Sequence, residues 1–265
     1  MKIRIAVTPP ASALRAEVFS DYLRAAEQLG FDTLWLSDIP LGALGDPLVS
    51  LTFAAARTAR MKLGANLVPL GRNPWWLAKQ LAQLDQLSHG RLLLSFVPGL
   101  GTAAERAALG HTRGDRGVAL EHIIALLRQW WAGLPVTATY ADFRFDNVSL
   151  SPTPRQTPLE IWLGGVGPLA LRRVARCGDG WLTAAATPDE AAAGCASILR
   201  ESTALQRFID PEHFGISIPF ARAEPTEVML SPLRSLGLIH GKQERRRLRL
   251  SQLLTIKRIQ LPQPF

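Results

Sequence analysis

The chain has 265 residues, 47% hydrophobic and 20% charged, with two cysteines and a formal net charge of +8. That is long enough for a large core. No apolar run nears the ~20 residues of a membrane helix, and two cysteines cannot build a disulfide framework or a metal cage.

In chain order, MKIRIAVTPPAS carries two cations and a short apolar run before Pro9-Pro10. It reads as a first strand, Ile3–Thr8, and not as a signal peptide, which needs a longer apolar segment. A cytoplasmic location is therefore expected. Val18, Phe19, Tyr22, Ala26 and Leu29 recur at helical spacing, and Gly30 follows as a stop. A second strand is expected at Thr33–Ser37. Asp46 before Pro47 is an N-cap signal. The third strand, Leu63–Val68, runs into a Pro/Gly/Asn-rich turn. Leu77, Leu81, Leu84 and Leu87 mark the next helix, and Ser88-His89-Gly90 leads to a strand at Leu92–Val97. An irregular loop is expected at Gly99–Gly117. Leu120, Ile123, Ile124, Leu127 and Trp130 then form one helical face, ended by Gly133. Alternation through 134–158 reads as a hairpin excursion. Further strands are expected at Glu160–Leu163, Gly180–Ala184 and Gly215–Pro219, with a helix start at Thr187-Pro188-Asp189-Glu190.

Strands that are almost continuously apolar, alternating with helices, indicate a parallel sheet covered on both faces. Seven of them at even spacing favour an α/β fold closed into a (β/α)8 TIM barrel with insertions, near the ~250 residues typical of that fold. In such a sheet chemistry sits at the carboxyl ends of the strands and stability at the amino ends. That places Asp38 and the turn after Val68 near a site, and His89 at the structural end. His111, in the irregular loop, is a weaker catalytic candidate; His122 reads as a surface or packed histidine, and the tryptophans mostly as packing groups. Cys177 and Cys195 lie in helical patterns and read as buried thiols. The segment Gly164-Gly165-Val166-Gly167, between an apolar strand and a helix opened by Pro168, suits the close approach of an anion to backbone N–H groups. It equally suits a plain tight turn.

Four phrases resemble the bacterial luciferase-like superfamily of flavin-dependent monooxygenases and deazaflavin-dependent oxidoreductases: LGFDTLWLSD (Leu29–Asp38), NPWWLAKQLAQLDQLSHGRLLLS (Asn73–Ser95), RGVALEHIIALLRQWWAG (Arg116–Gly133) and LEIWLGGVGPLALRRVARCGDGWL (Leu159–Leu182). The resemblance covers about Ile3 to Ala186 and weakens towards Ala223. It implies a cytoplasmic oxidoreductase acting on a small-molecule substrate, with FMN or an F420-type deazaflavin as cofactor, and commonly a homodimer. By position it assigns Asp38, Asn66, Leu67 and Val68 to the cofactor ring, and Gly164, Gly165, Val166 and Gly167 to its phosphate. It names no catalytic acid or base and no metal. Two departures stand out. Ile39 occupies the place where many members, especially deazaflavin users, have histidine, and Ser95-Phe96-Val97-Pro98-Gly99 replaces a more glycine-rich turn.

Residues 229–265 hold 8 of the 30 cations and 1 of the 22 acidic residues, so residues 1–228 are close to neutral. The division expected is a barrel domain over 1–228 and a basic C-terminal tail of atypical composition over 229–265, with the last βα unit incomplete or altered. A late change of reading frame would produce such a switch, as would a family-specific tail. A nucleic-acid arm is the poorest fit, since Phe265 is the segment's one aromatic residue for base stacking. The alternative to an enzyme is a catalytically impaired paralogue serving as a partner subunit.

Overall fold

The structure, a computed structural model, describes residues 4–10, 13–111, 114–184, 186–219 and 253–257, with 218–219 and 253–257 described as backbone. Its elements are β1 (Arg4–Val7), α1 (Ala16–Gln28), β2 (Thr33–Ser37), α2 (Pro47–Arg57), β3 (Lys62–Leu67), α3 (Pro74–Leu87), β4 (Leu92–Phe96), α4 (Ala103–Ala108), α5 (Arg116–Trp131), the hairpin β5 (Val136–Tyr140) and β6 (Phe143–Val148), β7 (Ile161–Gly164), α6 (Pro168–Cys177), β8 (Gly180–Ala184), α7 (Pro188–Ala204), β9 (Phe214–Pro219) and β10 (Leu253–Lys257). The N-caps follow the sequence signals. Asp46 accepts from Leu48 N and Val49 N, Asn73 accepts from Trp75 N and Trp76 N, and Thr187 forms a capping box with Glu190. Among the described residues, no helix is long and apolar enough to cross a membrane.

Eight strands close a barrel in the order β1-β10-β9-β8-β7-β4-β3-β2, and β5-β6 forms a separate two-stranded sheet. Seven staves run parallel. The eighth, β10, is antiparallel to both neighbours, pairing Arg4 with Lys257 and Pro219 with Leu253. The TIM-barrel expectation therefore holds, with the anticipated alteration located in the direction of the last stave. The expected loop at 99–117 also differs. It contains α4, because Thr102 caps it by accepting from Glu105 N and the Glu105 carboxylate accepts from Gly101 N (2.9 Å).

Two cores result from the alternation of side chains along each strand. Leu34, Leu36, Leu63, Leu67, Leu92, Leu94 and Phe96 belong to the large outer core between sheet and helices. Ala6, Trp35, Trp162 and Leu182, with Leu93 against them, form a separate inner cluster. Trp35, Gly64 and Leu93 pair in register across β2, β3 and β4. A Cβ on Gly64 would lie 2.0 Å from the Trp35 ring, so only glycine leaves room for the indole inside the barrel. One layer towards the carboxyl rim, Ser37, Asn66 and Ser95 pair in the same way. The inner filling is thus bulky and apolar below, small and polar above.

The amino rim is tied by Arg91, which is buried. Its guanidinium donates to Ser88 O (2.7 Å), Thr58 Oγ1 (2.8 Å), Met61 O (2.9 Å) and Ala55 O (3.0 Å), joining the ends of α2 and α3 to the start of β3. His89 occupies the turn beside it with φ +55°.

Candidate functional site

Asp38 leaves β2 at the carboxyl rim. Its backbone N–H donates to Asn66 O (2.8 Å), which brings the ends of β2 and β3 together. Its Oδ2 accepts from Val68 N (3.1 Å) and from Arg72 Nη2 (2.9 Å). The same Arg72 nitrogen donates to Asp46 Oδ2 (2.8 Å), while Asp46 Oδ1 caps α2. One guanidinium thus bridges two carboxylates from either end of the 38–46 loop. Burial alone would raise the Asp46 pKa, but the hydrogen bond and charge of Arg72, with the backbone N–H groups of Val49 and Leu48, outweigh it and hold the carboxyl below its ordinary range. Burial alone would likewise lower Arg72, but its hydrogen bond to Asp46 and the charges of Asp38 and Asp46 push it up.

This bridge forms one wall of a cleft of about 280 Å³. Ile39, Pro40, Leu44, Val68 and Leu109 supply most of the remaining wall. Ile39 is 41% exposed here.

The polar inner layer lies towards the carboxyl rim, next to Leu67 and Val68 at the end of β3. Ser95 is fully buried, and neither its Oγ nor Asn66 Oδ1 has a hydrogen-bond partner among the described residues. Buried polar atoms are almost always paired, so two unpaired acceptors side by side ask for a ligand or ordered water. The loop after β4 is rigidly built: Arg116 Nη1 donates to Pro98 O (2.9 Å) and Gly99 O (2.8 Å). In the same loop, burial first and then the charges of Arg106 and Arg116 push the His111 imidazole below its ordinary pKa, with Asp115 opposing them.

Across the rim, the turn after β7 carries the glycines. Gly164 is buried, and a Cβ there would lie 2.5 Å from Val97 Cγ1, so its smallness serves packing. Gly165 has φ +112°, a conformation that suits glycine, and its carbonyl accepts from Trp181 Nε1 (2.8 Å). Val166 is 60% exposed. Gly167 is the N-cap of α6 without any capping side chain, Pro168 follows at the first helical position, and the space a Cβ would take at Gly167 is open.

The structure thus places Asp38, Asn66, Val68 and the Gly165–Gly167 turn on one rim. Asp38 and Val68 line the cleft; Asn66 and the glycine turn lie outside it. Leu67 differs from its assignment: its side chain faces the helices, fully buried, and its carbonyl accepts from Val97 N (2.9 Å). Arg72 and Asp46, which line the cleft, and Ser95, which lies deeper in the barrel, are not among the residues the sequence assigns to the cofactor. Arg72 sits in the turn after Val68 that composition had marked, while Asp46 had read only as a cap.

The family model for luciferase-like monooxygenases matches residues 2–259. The chain belongs to the luciferase-like monooxygenase family. Among the luciferase-like relatives, an F420-dependent glucose-6-phosphate dehydrogenase of Kineococcus radiotolerans is 30% identical over 174 residues, 62% of this chain and 51% of the relative. An FMNH2-dependent dimethylsulfone monooxygenase of Pseudomonas fluorescens is 35% identical over 130 residues, 48% of this chain and 35% of the relative. The crystal structure of a monooxygenase from Streptomyces bottropensis superposes with a TM-score of 0.71 at 22% identity, covering 93% of this chain and 79% of that one. That likeness shows the fold. The chain spans about half the length of the first of these curated relatives, and about a third of the second. The relatives' names include both F420 and FMNH2 users, and the match reaches past the last of the phrases quoted from the sequence.

Proposed function

We propose that this chain is an oxidoreductase that binds reduced FMN or an F420-type deazaflavin at the carboxyl rim and acts on a small organic molecule. The observation that carries this is the pair of buried, unpartnered polar atoms, Asn66 Oδ1 and Ser95 Oγ, towards the carboxyl rim. The residues present fit such a cofactor. Asn66 and Ser95 offer hydrogen bonds to the polar edge of a tricyclic ring, Val68 offers apolar contact, and the open Gly165–Gly167 turn offers backbone to a phosphate. The bound group would supply hydride transfer if a deazaflavin, or oxygen transfer if FMN. The chain's own part is positioning. Arg72 fixes Asp38, Asp38 fixes the Val68 N–H, and the buried floor excludes bulk water from the ring. A cytoplasmic homodimer is the state expected of it.

The antiparallel eighth stave favours a second reading, a paralogue that has lost the ordinary last βα unit and serves as a partner subunit. Fluorescence titration of the purified protein with FMN and with a deazaflavin separates the two. Saturable binding of one cofactor at micromolar levels is expected, weakened about tenfold by Ser95→Val, on the order of one lost hydrogen bond. Silence with both cofactors overturns the enzyme reading.

A further inference from the structure

The cleft beside the cofactor region has a composition that selects by charge. Its volume, about 280 Å³, lies at the lower edge of the roughly 300–1,000 Å³ usual for ligand pockets. Its charged lining residues are Asp38, Asp46 and Arg72. Arg72 is already shared between both carboxylates through one nitrogen, so the cluster carries two negative charges against one positive. Among the described residues, Arg116 and Arg106 of the neighbouring loop donate to backbone, Arg116 to Pro98 O and Gly99 O and Arg106 to His111 O. Ile39, Pro40, Leu44, Val68 and Leu109 supply apolar lining beside these charges.

Resting on the oxidoreductase reading, we infer that this cleft is the substrate subsite and that it takes a compact apolar molecule bearing a neutral or cationic hydrogen-bond donor, an alcohol or an amine, and rejects anions. A carboxylate or phosphate placed there faces two carboxylates, and the cation among the described lining residues, Arg72, is already paired with both; like charges at close range repel strongly. A hydroxyl or ammonium meets acceptors. The subsite therefore differs from one built for a sugar phosphate, the substrate named for one of the relatives.

The test uses three probes of the same body and different charge, cyclohexanol, cyclohexylamine and cyclohexanecarboxylate, with glucose 6-phosphate as a fourth. Binding is read on the purified protein by methyl NMR shifts of Ile39, Leu44 and Leu109, without cofactor. The alcohol and the amine are expected to move those methyls, with the two anions binding at least about tenfold more weakly. Asp46→Asn keeps the α2 cap acceptor and removes one negative charge, and it is expected to cut the discrimination against the carboxylate to about threefold. Equal or tighter binding of either anion overturns the proposal, as does the absence of shifts at all three methyls with every probe, or discrimination unchanged in Asp46→Asn. Because these methyls report without cofactor, a silent cofactor titration sinks the oxidoreductase reading separately.

Discussion

Arg72 Nη2 serves Asp38 and Asp46 at once, and Asp38 is only 8% exposed while Asp46 is 37% exposed. Replacing it by methionine leaves a nearly buried carboxylate without its cation, which costs roughly 2 kcal/mol after allowing for the solvent that reaches Asp46. The sign of the pH dependence follows from Asp46. Its folded pKa is depressed, so its contribution is fully present above the ordinary carboxylate value of about 3.9 and fades as pH falls through the lower folded value. Melting midpoints of wild type and Arg72→Met are therefore expected to differ most near pH 7 and to converge towards pH 3. A constant gap across that range would show that the bridge acts by packing and not by charge. Asp38 could be found in the sequence because it ends an apolar strand. Arg72 could not be assigned, since its role depends on meeting both ends of a loop that lie 34 and 26 residues away from it. Of the two thiols that read as buried, Cys195 is 2% exposed and burial pushes it up to about 12, whereas Cys177 is only partly buried.

Among the elements, the two rims of the barrel do different work. At the amino rim the Arg91 guanidinium satisfies four acceptors on three elements. Arg91→Met is expected to lower the unfolding free energy in urea by about 3 kcal/mol, because those acceptors are left buried and unpaired, while cofactor affinity stays within about twofold. A larger loss of cofactor binding than of stability would place Arg91 in the site. Most strands and helices were readable, because each buried strand is an apolar run of four to six residues between turn signals. The short helix α4 was not. Its amphipathic signal spans barely two turns, and what fixes it is a local exchange between Thr102, Glu105 and the Gly101 N–H. The hairpin β5-β6 was visible from its alternation, which places Val136, Tyr140 and Phe145 on the buried side and packs Phe145 edge-on to Trp130 at 5.0 Å.

For the whole molecule, closure depends on β10. Six parallel pairings leave β9 and β1 as edges, and β10 supplies the partner of each. Unpaired edges invite association with other chains. A chain ending at Pro219 is expected to aggregate on heating and to lose a cooperative melt, checked by light scattering and circular dichroism; a monodisperse, cooperatively melting product would show that the seam closes without this stave. The barrel itself was legible from the rhythm of strands and helices. The direction of its last stave was not, because Leu253–Lys257 lies in a stretch whose composition breaks that rhythm and whose apolar run reads the same in either sense.

A parallel neighbour can be reached only by a long crossover, whereas an antiparallel one can follow after two residues. Pro219 and Leu253 face each other across the β9-β10 ladder. A protein engineer could therefore splice a tight glycine-containing turn between them in place of the 33 intervening residues, obtaining a smaller vessel whose carboxyl rim is bounded there by that turn alone.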